Sequence, residues 1–266
     1  MATDDRIERA ALALRDARTS RRPIARVSET FGIDTLDDAY AVAQHNNTNR
    51  VRDGARVTGY KIGLTSAAVQ AQLGVDHPDC GLLFGDMEAL DGAVLPMHRL
   101  IQPKAEAELA FVVGRELRSE RPTFAELVSV LDCVLPAIEV VDSAIADWRI
   151  TLVDTVADNA SCGLYVLGMQ PFSLRTTKLA EVPMQLSRNG REEARGIGAA
   201  CLGHPLRSVH WLASALGARG EHLHPGNVIL SGALGPMVPL APGDAIEARF
   251  SELGVVTCRA SERGAS

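Results

Sequence analysis

The chain has little of what marks the commonest functional classes. Its five cysteines are odd in number and contain no C-x-x-C pair, which argues against a disulfide framework and for reduced thiols in a cytoplasmic protein. No run of Lys and Arg exceeds Arg21-Arg22, and 27 basic residues against 33 acidic ones leave a net charge of −6. A nucleic-acid surface is thereby disfavoured. No apolar stretch approaches the length of a membrane span, and the start, Met1-Ala2-Thr3-Asp4-Asp5, is acidic without the apolar core of a signal peptide. There is no G-x-S-x-G elbow, no G-x-G-x-x-G after a strand and no P-loop, so the familiar hydrolase, dehydrogenase and NTPase readings fall away. His77 and Cys80 share an H-x-x-C spacing, but no second pair accompanies them, which argues against zinc.

What is present is a stretch that joins charge to burial. In Gln102-Pro103-Lys104-Ala105-Glu106-Ala107-Glu108-Leu109-Ala110-Phe111-Val112-Val113-Gly114, Glu106 and Glu108 stand at i and i+2 of a predicted strand and so point to one face. Lys104 shares that face, where it reads as a charge-balancing neighbour. Alternating Glu also suits the wet face of an exposed strand. A second apolar run, Asp132 to Asp142, weighs against that reading because it too carries a lone carboxylate, Glu139, among residues that want burial. Like charges aimed at one poorly solvated spot need a cation between them or a proton on one of them. Three carboxylates in two apolar strands suit a hard divalent ion with oxygen ligands and positions left open for a chelating substrate.

Along the chain, residues 4 to 18 read as an amphipathic helix, and Thr35-Leu36-Asp37-Asp38 opens a second that stops near Gly54. Val57 to Leu64 reads as a strand, Thr65 or Ser66 as the cap of a helix ending near Gly74, and Val75 to Gly81 as a loop able to act as a flap. Thr123-Phe124-Ala125-Glu126 opens a short helix, while residues 143 to 168 read as irregular until a strand resumes at Leu164. Asn189-Gly190 signals a hairpin, and Pro205 to Leu216 reads as a helix with Pro in its first turn. Strands are expected at 228–230, 245–250 and 255–259. The expected class is α+β, with a helical N-terminal part over residues 1–80 and a β-rich, metal-binding catalytic domain over 81–266.

These motifs, taken together and in order, resemble the fumarylacetoacetate hydrolase superfamily. Within it they are similar to the branch of 2-hydroxypenta-2,4-dienoate (2-keto-4-pentenoate) hydratases and 4-oxalocrotonate decarboxylases. The likeness runs through Tyr60 to Ser66, Gly81 to Met87, the two carboxylate strands with Ile138 to Ser143, Asp154 to Ser161, and Ser231 to Met237. It implies a mixed β-roll, an Mg²⁺ or Mn²⁺ site with Glu106, Glu108 and Glu139 as ligands, Lys61 and Asp86 as catalytic residues, and Ser161 and Leu83 at the substrate. It further implies a homo-oligomer acting in meta-cleavage catabolism of aromatic compounds, with a pathway aldolase or decarboxylase as a partner to consider. Lys61 and Asp86 flank residues 65 to 81, which makes that segment a candidate lid over both. Blander roles compete: Lys61 at a strand end, Asp86 in a turn, Ser161 satisfying backbone groups.

The implied reaction adds water to a 2-hydroxy-2,4-dienoate to give 4-hydroxy-2-oxopentanoate. The alternatives are 4-oxalocrotonate decarboxylation, C–C hydrolysis of an acylpyruvate, and an oligomeric scaffold without catalysis. A decarboxylase must hold a second carboxylate at the far end of its substrate. Asp154 to Cys162 and Ser231 to Met237 contain no basic residue, which favours hydration, although Arg149 lies nearby in sequence.

Overall fold

A computed structural model describes residues 5–66, 70 and 77–262. The chain opens with three helices, α1 (Asp5–Ser20), α2 (Val27–Phe31) and α3 (Leu36–Arg52). In α1 the residues Ile7, Ala10, Ala11, Leu14 and Ala17 recur at helical spacing and are buried, as the amphipathic pattern requires. Thr35 caps α3 by accepting from the Asp38 N–H. After these helices the chain enters β1 (Val57–Gly63), and β2 (Asp79–Phe84) follows. Asp79, Cys80 and Gly81, expected in a flap, begin β2 instead. The helix expected between Ser66 and Gly74 falls mainly on residues outside those described.

The body contains β3 (Glu88–Leu90), β4 (Ala93–Leu95), β5 (Pro103–Val113), α4 (Phe124–Val130), β6 (Leu131–Asp142), α5 (Leu152–Ala157) and β7 (Cys162–Leu167). After these come β8 (Pro183–Arg188), β9 (Arg191–Ile197), α6 (Pro205–Gly217), β10 (Val228–Leu230), β11 (Val238–Pro239), β12 (Ala245–Phe250) and β13 (Gly254–Ala260). Among the described residues one sheet runs β2-β1-β10-β5-β6-β7-β3, with β11 beside β5, and a second runs β4-β13-β12-β8-β9. β1 is parallel to β10 and β3 to β7, whereas β10, β5, β6 and β7 are antiparallel in turn. The inner faces share one core that includes Leu109, Phe111, Val134, Ile138, Leu186, Phe250 and Val256. The β8–β9 hairpin turns on Asn189 and Gly190, whose positive φ values of 54° and 77° match the right-handed twist of its strands.

α5 lies inside the stretch expected to be irregular. Its signal is a capping box: Thr151 accepts from the Asp154 N–H, and Asp154 accepts from the Thr151 N–H and hydroxyl. Val156 and Ala157 of α5, with Ala144 and Ile145, complete the core of α1 to α3 and so tie the helical part to the segment that follows β6.

Candidate metal-binding active site

Glu106 and Glu139 face each other directly in the antiparallel β5–β6 pair, and Glu108 is two positions along β5, on the same face. The three carboxylates bring oxygens to within 4.8 Å of one another. Glu108 and Glu139 are 0% and 1% exposed. Glu108 Oε2 accepts from the Gly232 N–H at 2.8 Å, while Glu108 Oε1 and both Glu139 oxygens are buried without a hydrogen-bond partner.

β1 and β6 are three strand positions apart, roughly 14 Å in a flat sheet, yet Lys61 Nζ on β1 lies 3.3 Å from Glu139 Oε1 on β6. The sheet therefore curls on itself, and Lys61 crosses the inside of the curl. Lys61 is 4% exposed, and its ammonium donates to the Ala160 carbonyl at 3.0 Å. Its contact with Glu139 is an ion pair whose alignment falls short of a hydrogen bond.

The electrostatics follow from this burial. Desolvation raises the pKa of all three glutamates. Glu106 is pushed up to about 7, by burial first and by repulsion from Glu139 second. Glu108 rises through burial and then through both neighbours, whereas Lys61 partly offsets the rise at Glu139. Burial also disfavours the Lys61 ammonium, but Glu139, Cys162 and Asp79 outweigh it and lift its pKa above that of an ordinary lysine. One ammonium cannot neutralise three carboxylates. A divalent cation fits the remaining charge, the oxygen-only donor set and the unpartnered oxygens.

Sequence reasoning missed a fourth carboxylate. Asp79, at the start of β2, is 2% exposed and pairs with Gly63 across β1–β2. A Cβ on Gly63 would stand 2.2 Å from Asp79 Oδ1 and 3.5 Å from Lys61 Nζ, so glycine leaves the space in which these groups meet. Asp79 Oδ1 has no hydrogen-bond partner, and burial, partly countered by Lys61, raises its pKa. No local signal marked it, since Pro78 and Gly81 around it are turn formers and only pairing with Gly63 makes it part of a strand.

Asp86 is not brought to the cluster. It occupies the turn just after β2, where Arg50 and Arg99 each reach its half-exposed carboxylate at 2.7 Å. Two guanidiniums hold it at the surface, apart from the Lys61–Glu139 contact. Ser161 is buried, with its hydroxyl 3.2 Å from that of Thr155, next to the carbonyl that holds Lys61. Leu83 is buried on the same face of β2 as Asp79 and Gly81. Lys104 lies on the β5 face of the glutamates but turns its ammonium over the Trp148 ring, 4.3 Å from the centroid. His77 bonds the neighbouring Pro78 carbonyl.

Comparison with known proteins places this arrangement. The family model for the C-terminal region of fumarylacetoacetate (FAA) hydrolase matches residues 64–260. The chain is 51% identical over 254 residues to a 2-keto-4-pentenoate hydratase of Paraburkholderia xenovorans (strain LB400), covering 96% of this chain and 94% of the relative. The same figures hold for 2-keto-4-pentenoate hydratase 3 of Pseudomonas putida. A solved 4-oxalocrotonate decarboxylase from Pseudomonas putida G7, complexed with magnesium and adipate, superposes with a TM-score of 0.92 at 35% identity, covering 98% of this chain and 99% of that one. The chain belongs to the fumarylacetoacetate hydrolase family, in the branch that holds the 2-keto-4-pentenoate hydratases and 4-oxalocrotonate decarboxylase.

Proposed function

We propose that the chain is a divalent-metal-dependent hydro-lyase that adds water to 2-hydroxypenta-2,4-dienoate to give 4-hydroxy-2-oxopentanoate. The observation that carries this reading is the triad of half-buried Glu106 and buried Glu108 and Glu139, in which Glu108 and Glu139 keep carboxylate oxygens without a hydrogen-bond partner. These residues would hold Mg²⁺ or Mn²⁺. When bound, the ion supplies positive charge against the negative charge that develops on the substrate oxygens as the dienol rearranges.

The reaction needs two proton movements. First the C2 hydroxyl loses a proton and C5 gains one, which gives 2-oxopent-3-enoate; water then adds its oxygen at C4 and a proton at C3. Lys61, kept charged by its acidic surroundings, is a poor proton donor, so its part is to attract the anionic substrate and orient it. Asp79 has the free oxygen and the raised pKa that a proton carrier needs. It accepts a proton from the attacking water and returns one to C3. Ser161 and Leu83 line the substrate's side of this arrangement.

Hydration is favoured over decarboxylation by the higher identity to the named hydratases, 51% against 35%. The absence of a basic residue from Asp154 to Cys162 and from Ser231 to Met237 points the same way. The test is loss of the dienol's ultraviolet absorbance with Mg²⁺ or Mn²⁺, abolished by EDTA, with 4-hydroxy-2-oxopentanoate as product. Faster release of CO₂ from 4-oxalocrotonate than hydration of the monocarboxylate would overturn the choice of reaction.

A further inference from the structure

The residue that ties Lys61 and Asp79 together is neither of them. Among the described residues β2 is the end strand of its sheet, so beyond Leu82 no further described strand supplies backbone partners. The Asn159 side chain takes that place. Its Oδ1 accepts from the Leu82 N–H and its Nδ2 donates to the Leu82 carbonyl, both at 2.9 Å, so a single amide acts as a one-residue strand against the edge. Asn47 on α3 braces it by donating to the same Oδ1 at 3.0 Å.

The backbone at this point is equally specific. Asn159, Ala160 and Ser161 all have φ of 53°, in the left-handed region that asparagine tolerates and alanine and serine avoid. That turn directs the Ala160 carbonyl to the Lys61 ammonium. It also needs Gly81, because a Cβ there would stand 2.2 Å from the Asn159 carbonyl oxygen. Through its side chain Asn159 fixes the strand that carries Asp79, and through its backbone it fixes the acceptor of Lys61.

We propose that Asn159 is a positioning residue that sets Asp79 and Lys61 relative to each other, with Asn47 as its brace. The proposal rests on the hydratase reading for its kinetic consequence but not for its structural one. Asn159→Gly keeps the left-handed backbone accessible and removes only the amide. In that variant kcat on 2-hydroxypenta-2,4-dienoate with Mg²⁺ should fall by roughly tenfold to a hundredfold, the scale set by small misplacements of reacting groups. The Mg²⁺ dissociation constant should stay within about twofold because the three glutamates are on other strands, and KM likewise because glycine keeps the left-handed turn whose Ala160 carbonyl holds Lys61. Asn47→Ala should lower kcat by less, and Asn159→Asp, which keeps an acceptor for Leu82 and loses the donor, should fall between them.

The second readout needs no substrate. Hydrogen exchange followed by mass spectrometry should speed up at Leu82 and the preceding residues of β2 in Asn159→Gly, with β6 unchanged. Wild-type protein that fails to hydrate the dienoate would overturn the functional reading alone, and the exchange comparison would then decide the positioning role. Unchanged exchange at Leu82, wild-type kcat, or Mg²⁺ affinity that falls in step with kcat would each overturn the proposal.

Discussion

Among the described residues a pair of buried aspartates and a trio of buried or half-buried glutamates are satisfied in opposite ways. Asp142 and Asp158, 0% and 5% exposed, share Arg18, which reaches Asp142 at 2.9 Å and Asp158 at 2.8 Å. Backbone N–H groups of Ile101 and Gln102 donate to Asp142, and that of Ala144 to Asp158. That cluster clips α1 to the ends of β6 and α5. Glu106, Glu108 and Glu139 have one lysine and one backbone N–H among them and retain unpartnered oxygens. Burial alone does not mark a site. A buried acid that the fold has already paired is a structural clip, and one that the fold leaves unpaired is waiting for something from solution.

Substitutions should separate the two clusters sharply. The largest effect on activity is expected from Glu108→Gln, which keeps the shape and removes a ligand charge: metal affinity should fall at least about hundredfold, with activity falling alongside it. The same change removes like-charge repulsion, so the metal-free variant should be more stable than wild type by ~0.5–2 kcal/mol in urea titration. A metal-independent, fully active Glu108→Gln protein would dissolve the contrast.

The largest effect on stability belongs to the other cluster. Arg18→Met strands two buried carboxylates and should cost about 3–5 kcal/mol, read as a lower urea midpoint at an unchanged slope. Its activity at a temperature where it remains folded should be near that of wild type. Loss of Mg²⁺ binding in folded Arg18→Met protein would show that the clip and the site are one unit.

A smaller effect is expected from pH on the metal-free protein. Glu106 titrates near 7 when folded, against an ordinary 4.5, so between these values the native state holds a proton that the unfolded chain has lost. Stability from this source is complete below pH 4.5 and drains away as pH rises through 7. Saturating Mg²⁺, which binds the ionised form, should flatten that decline. Melting temperatures from pH 5 to 8 with and without the ion test this, and a metal-free protein that gains stability from pH 6 to 8 would contradict it. The smallest effect should come from Asp86→Ala, which breaks only surface ion pairs and should cost less than about 1 kcal/mol. Its kcat should stay within about twofold of wild type, and a collapse in kcat would return Asp86 to the site.

The contrast also explains what could be read from the sequence. Glu106, Glu108 and Glu139 were legible because a carboxylate inside an apolar run conflicts with its surroundings on its own strand, whatever the rest of the chain does. Helices α1 and α3, the Asn189-Gly190 hairpin and strands β10, β12 and β13 were legible for the same local reason, whereas the five-residue α2 and two-residue β11 were too short to show. Asp79 was not, because Asp76, Pro78 and Gly81 around it are turn formers. Only pairing with Gly63 makes it part of a strand, and that partner is far enough away in sequence to leave no local trace. Asp86 failed in the converse way: its place at the surface depends on Arg50 and Arg99, which no spacing connects to it. α5 was hidden by its shortness, though its Thr151–Asp154 box was in view.

The curl that carries Lys61 across to Glu139 sets when the site can exist. Lys61 and Ala160 are 99 residues apart in the chain, and Gly232 and Glu108 are 124 apart, so contacts that define the centre are among the least local in the fold. Contacts of this kind form late, after the loops between them have been closed. A nascent chain released before β10 holds the acidic strands but lacks the backbone donor for Glu108. The complete centre, with Gly232 bonded to Glu108 and Ala160 to Lys61, is therefore assembled only at the last closures of the fold.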